Sequence, residues 1–282
     1  MNQTSRRILI CTDLDRTLLP NGDAPESPEA RPRFAALAQR PEVTLAYVTG
    51  RHRDLVLKAI GEFGIPVPDV VIGDVGSSIF RVENGVWSAW DAWATRIGED
   101  WAGWGRGQIA DLLEGLPGLR LQEPEKQGLF KLSYYAQVDW DRAAVMPQID
   151  DRLRAAGVQA SLIWSVDETT ATGLLDVLPA RATKRHAIEF LMEQEAFPWE
   201  STICAGDSGN DLPVLTSPLR AVLVANATED VRAEAIAEAE SQGTLDALYL
   251  ARGGYRGMNG NYAAGILEGL AHYLPASADL WD

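Results

Sequence analysis

Apolar and polar positions follow two regimes along this chain. RRILICTD (6–13) is an unbroken β-branched and aliphatic run ending in an aspartate, the pattern of a strand buried on both faces. VTLAYVTGR (43–51) and DVVIGDVGSSIF (69–80) repeat it. Between them, EARPRFAALAQR (29–40) and DLVLKAIGEFG (54–64) carry helical spacing, the second closed by Gly64. The Pro-, Gly- and Asp-rich stretch 19–32 reads as loop. Strand, helix, strand, helix, strand predicts a parallel sheet with helices on both faces.

After residue 83 the pattern changes. FRVENGVWSAW (80–90) sets Asn84-Gly85 between apolar residues, a hairpin signal. A polar helix is expected to about Leu116, then a half-exposed alternating strand in GLFKLSYYAQ (128–137). A helix is expected over 141–157, with Pro147 a residue able to kink it, and VQASLIWS (158–165) and GLLDVLP (173–179) read as strands. From ATKRHAIEFLMEQE (182–195) the first pattern returns. STICAGD (201–207) and LRAVLVANA (219–227) are buried strands, and the helix TEDVRAEAIAEAE is capped by Thr228 or Asn226. The expected fold class is α/β, with a Rossmann-like parallel-sheet core (1–83 and 181–282) and an inserted α+β domain (84–180).

The 282 residues are 46% hydrophobic and 23% charged, an ordinary globular balance. A net charge of −15 without a basic tract argues against nucleic acid or an anionic membrane as partner. It leaves room for a small phosphorylated ligand, which needs only a few local donors. Cys11 and Cys204 sit in apolar runs and read as free thiols of a reducing compartment. Three histidines (His52, His186, His272) without HExxH spacing argue against a zinc hydrolase. The twin arginine Arg6-Arg7 precedes too short an apolar run for an export signal, so a cytoplasmic location is expected. Oligomeric state is left open.

Chemistry collects at predicted strand ends. Asp13 and Asp15, Thr49-Gly50 and Asp207 all follow buried strands, and Lys184 opens a helix. Ligands of open parallel sheets bind outside such strand ends. Converging carboxylates repel unless a cation lies among them, and an all-oxygen set suits Mg²⁺. A lysine, a threonine hydroxyl and the Gly50 N–H complement a phosphate. One aspartate then serves as nucleophile, and a second as general acid and base.

DLDRT (13–17), TGR (49–51), Lys184 and GDSGND (206–211) resemble, in order, the four motifs of haloacid dehalogenase-like phosphatases. The inserted domain resembles that superfamily's C2-type cap. AGDSGNDLPVL, LLDVLPARATKRHAI and GNYAAGILEGLAHY are similar to the sucrose-phosphate phosphatase branch. The resemblance implies Asp13 as nucleophile and metal ligand, and Asp15 as acid/base with its carbonyl on the metal. It implies Asp207 as a ligand, and Asp211 as either a ligand through water or a carboxylate behind the ligands. Thr49, Gly50 and Lys184 hold the phosphate, with Asn210 near it. Lys131, Ser133 and Asp176 of the cap, with Gly76 and Ser77, are candidates to meet the sugar. Arg16 sits at a variable spacer position. The expected function is Mg²⁺-dependent hydrolysis of a small sugar phosphate, sucrose 6-phosphate first, mannosylfructose or glucosylglycerate phosphate as alternatives. A non-catalytic sugar-phosphate-binding module and a phosphomutase are remoter readings. Five of nine tryptophans fall between Trp87 and Trp104, expected to pack the core or cap, or to stack on sugar.

Overall fold

The computed structural model describes residues 7–137, 139–167 and 172–275; Arg6 and the outer ends of the expected core segments lie outside these. Twelve strands are described: β1 (Ile8–Thr12), β2 (Val43–Val48), β3 (Val70–Gly73), β4 (Ser78–Glu83), β5 (Val86–Ala89), β6 (Arg120–Leu121), β7 (Leu132–Gln137), β8 (Ala160–Asp167), β9 (Thr172–Pro179), β10 (Thr202–Gly206), β11 (Arg220–Leu223) and β12 (Leu248–Leu250). Eight form one sheet in the order β12-β11-β10-β1-β2-β3-β4-β5, parallel from β12 to β3 and antiparallel beyond. The other four form an antiparallel sheet, β6-β7-β9-β8.

β1 is buried along its whole length, which explains its unbroken apolar run. Ile8 and Ile10 face one apolar cluster, with helices Ala30–Ala38, Arg53–Phe63 and Ala263–Tyr273. Leu9 and Cys11 face the other, with helices Lys184–Glu195 and Glu229–Gln242. Each such fully buried aliphatic side chain contributes roughly 1.5–3 kcal/mol. Cys11 and Cys204 are register partners on β1 and β10, both free and buried. Connections leave β1 toward β2 on one side, while β10 returns on the other, so the switch point of the sheet lies at the carboxyl end of β1.

The expected boundary at residue 84 needs correction. Asn84 (φ 51°) and Gly85 (φ 78°) form the predicted hairpin turn, but β4 and β5 extend the large sheet. The helix Asp91–Gly98 that follows buries Trp93 and Ile97 in the large sheet's cluster. A separate apolar cluster starts only at Trp101 and includes Tyr134, Ile149, Leu175 and Val177 beneath the small sheet. Period-2 alternation in 80–89 is common to an edge hairpin and to a cap strand, so the pattern alone misplaces the border. Where the chain crosses between the two bodies, Arg181 donates from its N–H (2.7 Å) and Nε (2.8 Å) to the buried Asp100 carboxylate. Among the described residues no helix is long and apolar enough to cross a membrane.

Candidate active site

The backbone leaves β1 abruptly after Asp13. The Leu14 carbonyl accepts N–H bonds from Thr17, Leu18 and Leu19, and Arg16 adopts φ 57°. This turn separates two carboxylates that a straight strand would have put on one face. Asp13 points into the buried interior of the site, whereas Asp15 points to Arg51 and Asn21. Asp15 Oδ2 accepts from Arg51 Nε (2.7 Å), and its Oδ1 from Arg51 Nη2 (2.6 Å) and Asn21 Nδ2 (2.6 Å).

Asp13, Asp207 and Asp211 present carboxylate oxygens all within 4.8 Å of one another, and all three are buried. They come from the carboxyl ends of adjacent strands β1 and β10. Lys184, only 2% exposed, ties the set together. Its Nζ donates to Asp211 Oδ1 (2.7 Å) and Asn210 Oδ1 (2.8 Å) and lies 3.3 Å from Asp13 Oδ1. Thr183 positions this lysine as helix N-cap, accepting from the His186 N–H. Asp211 Oδ2 accepts the N–H groups of Asp207 (3.1 Å) and Ser208 (3.2 Å), so this carboxylate also shapes the loop. Thr17 Oγ1 donates to Asp207 Oδ1 (3.1 Å), and Arg16 Nε lies 3.5 Å from Asp207 Oδ2.

Electrostatics reflect the crowding. Burial, reinforced by Asp211 and Asp207, pushes the Asp13 carboxyl up to about 8 against the pull of Lys184. Burial and Asp211 push Asp207 up to about 6. Burial works against charge on Lys184, but Asp13 and Asp211 more than offset it and raise its pKa. At Asp15 burial also pushes upward, yet the bonds and charge of Arg51, with Asn21 and Lys184, outweigh it and hold the carboxyl below its ordinary value. Three buried carboxylates around one lysine form an oxygen-donor set that a divalent cation fits, since such an ion would offset both the burial and the repulsion that raise Asp13.

Next to this cluster lies a cavity of about 700 Å³ between the two sheets. The large-sheet body lines it with Gly50, Val75, Thr183, Lys184 and Asn210. The small sheet lines it with Ser161, Ile163, Ser165, Leu174 and Asp176, and Lys131 lies just before β7. Pairing of Ser133 and Ile163 with Asp176 puts these residues on one sheet face.

Several expected contacts fall elsewhere. Thr49 is fully buried, its hydroxyl accepting the Arg51 N–H (3.2 Å). Gly76 and Ser77 do not line the cavity; Val75 does. Gly76 (φ 106°) instead packs its backbone against Thr183 and Lys184, where a Cβ would collide, and its carbonyl accepts from Trp93 Nε1 (3.0 Å). Ser77 Oγ donates to the Asp74 carbonyl (3.0 Å). Ser133 is buried and donates to Asp176 Oδ1 (2.5 Å). None of Trp87, Trp90, Trp93, Trp101 and Trp104 lines the cavity. Trp90 and Trp93 pack on Phe190, and Trp101 on Phe130. Arg51, Asn21 and Thr17 were legible only as motif neighbours or loop residues, since their partners are distant in sequence or fixed by the turn. Arg16, read as a neutral spacer, faces a cluster carboxylate.

The model of the sucrose-6F-phosphate phosphohydrolase family matches residues 6–274. The chain belongs to this family. A HAD-like hydrolase of Nitrosococcus oceani is 54% identical over 270 residues, spanning 96% of this chain and 72% of that protein. The mannosylfructose-phosphate phosphatase of Agrobacterium fabrum is 30% identical over 224 residues, 79% of this chain and 85% of that protein. The solved sucrose-phosphatase of Synechocystis, in complex with sucrose and phosphate, is 26% identical with a TM-score of 0.73, covering 95% of this chain and 98% of that one. This member of the sucrose-phosphatase family is thus a phosphatase with the haloacid dehalogenase-like fold.

Proposed function

We propose that this chain hydrolyses a small sugar phosphate through an aspartyl-phosphate on Asp13, with sucrose 6-phosphate the leading substrate. The observation that carries the reading is the buried Asp13–Asp207–Asp211 cluster, bound by Lys184, which itself lines a cavity that the small sheet also lines. In this reading Asp13, the Asp15 carbonyl, Asp207 and Asp211 hold Mg²⁺, which supplies charge stabilisation for the phosphoryl oxygens when bound. Lys184 and the Gly50 N–H orient the phosphate, with Asn210 fixing the lysine and Thr49 bracing the loop through the Arg51 N–H. An Asp13 oxygen attacks phosphorus as the bond to the sugar oxygen breaks, and Asp15, protonated once substrate draws it off the Arg51 pair that keeps it ionised in this structure, gives that oxygen its proton. Asp15, then ionised, takes a proton from water, which attacks phosphorus and frees phosphate and Asp13. Lys131 and Asp176, on the cap side of the cavity, meet the sugar, and Ser133 orients Asp176. The cap excludes water during the reaction. A cytoplasmic setting belongs to the same proposal.

The Agrobacterium relative supports mannosylfructose phosphate as a second reading, because it matches over most of its own length. Phosphate release from sucrose 6-phosphate, mannosylfructose phosphate and glucosylglycerate phosphate, with and without Mg²⁺, separates these. Strong preference for another sugar sinks the sucrose assignment. Binding without Mg²⁺-dependent turnover would replace catalysis by a binding role.

A further inference from the structure

At the end of β3 the chain makes a turn that the phosphate-site residues and the cap both touch. Asp74 (φ 50°), Val75 (φ 61°) and Gly76 (φ 106°) take three successive left-handed conformations, two of them at residues with a Cβ and one β-branched. Such strain persists only where surroundings over-determine it. Here the Asp74 N–H donates to the Arg51 carbonyl (3.1 Å) and the Val75 N–H to the Thr49 carbonyl (3.1 Å). Gly76 is pressed on the backbone that carries Lys184 and is held by Trp93. The turn is therefore clamped onto both the TGR loop and the helix start of the site lysine.

The Asp74 carboxylate of this turn faces Lys131. Ser78 Oγ donates to Oδ2 (3.0 Å), fixing the group, and Oδ1 lies 3.9 Å from Lys131 Nζ. Lys131 lines the cavity that Lys184 also lines, and its Nζ is 3.7 Å from Asp176 Oδ2. The lysine sits between a carboxylate of the core and one of the cap, with little exposure.

We propose that Asp74 is a positioning residue that acts through Lys131: it holds the cap lysine over the cavity and so couples recognition of the sugar by the cap to the loop that grips the phosphate. The inference rests on the reading of this cavity as the sugar-phosphate site. It goes beyond that reading in making a core residue without direct chemistry a determinant of sugar affinity.

The test compares Asp74→Asn, Lys131→Met and the double variant with wild type, all with Mg²⁺, on sucrose 6-phosphate and on p-nitrophenyl phosphate, which has no sugar. Asp74→Asn keeps the shape and the Ser78 bond but removes the charge. The expected result is a rise in KM for the sugar phosphate of about three- to tenfold with little change in kcat. Turnover of p-nitrophenyl phosphate by Asp74→Asn stays near wild type, and the double variant is no worse than Lys131→Met alone. Equal losses on both substrates, or losses that multiply in the double variant, overturn the proposal. Hydrogen exchange provides a readout independent of the sugar. Asp74→Asn should speed amide exchange at 131–137 while β1 and β10 stay protected, and unchanged exchange there also overturns the proposal. If wild type cleaves p-nitrophenyl phosphate but no sugar phosphate, the substrate class is wrong, and the exchange result alone decides whether Asp74 holds Lys131.

Discussion

Asp13→Asn tests the electrostatic reading of the cluster most directly, because it separates catalysis from stability. In the metal-free protein the Asp13 carboxyl is raised from 3.8 to about 8, with burial the first cause. A group raised on folding favours the native state fully below its unfolded pKa and loses that contribution as pH rises through the folded value. Metal-free stability should therefore fall between about pH 4 and pH 8. At about 1.4 kcal/mol per pKa unit, the loss attributable to Asp13 is on the order of 5 kcal/mol at pH 8. Asparagine has the same shape and no charge, so it removes this penalty, at the cost of one partner of Lys184, which keeps Asp211 and Asn210. The expected net gain is roughly 2–4 kcal/mol, a Tm rise on the order of 3–7 °C for a chain of this size. Thermal unfolding in chelator at pH 5 and pH 8 reads it: the variant should be clearly more stable than wild type at pH 8 and close to it at pH 5. Added Mg²⁺ should raise the wild-type Tm far more than that of the variant, and phosphate release by the variant should be abolished. A variant less stable than wild type at pH 8 in chelator would refute the electrostatic argument; near-wild-type turnover would refute the nucleophile assignment.

Three other outcomes follow from the same geometry. Lys184→Met leaves buried carboxylates without their cation and should cost about 3–5 kcal/mol in metal-free protein, read by denaturant unfolding; a loss below 1 kcal/mol would contradict it. Arg51→Ala removes the bonds and charge that hold Asp15 down, so the kcat/KM–pH limb governed by Asp15 should move upward, and an unmoved profile would mean that the pair does not set its titration. Gly206→Ala would put a Cβ onto the Asp211 side chain at the end of β10, so Mg²⁺ affinity measured by calorimetry should fall about tenfold or more while the fold persists; unaltered affinity would exclude Asp211 from holding the metal.

Much of this protein is legible in one dimension. Unbroken apolar runs mark β1, β2, β3, β10 and β11 because parallel strands between two helical layers have no wet face. Asp13 and Asp207 are legible for a related reason: each directly follows such a run, whereas Asp211 stands in the turn beyond, where it also accepts the Asp207 and Ser208 N–H groups. The hairpin turn at Asn84-Gly85 and the cap at Gly64 are equally local, set by backbone conformations that few residues adopt. What the sequence could not decide depends on contacts between distant segments. The membership of β5 in the large sheet is a matter of hydrogen-bond partners, and alternation is the same for either sheet. The pairing of Arg51 with Asp15, 36 residues apart, arises because the turn after Asp13 redirects one carboxylate away from the other. The small-sheet face of the cavity is set by β7–β9–β8 register, which a single-residue slip would invert. Local pattern determined which residues could do the chemistry; only the packing of strand ends, turn and small sheet decided which of them face one another.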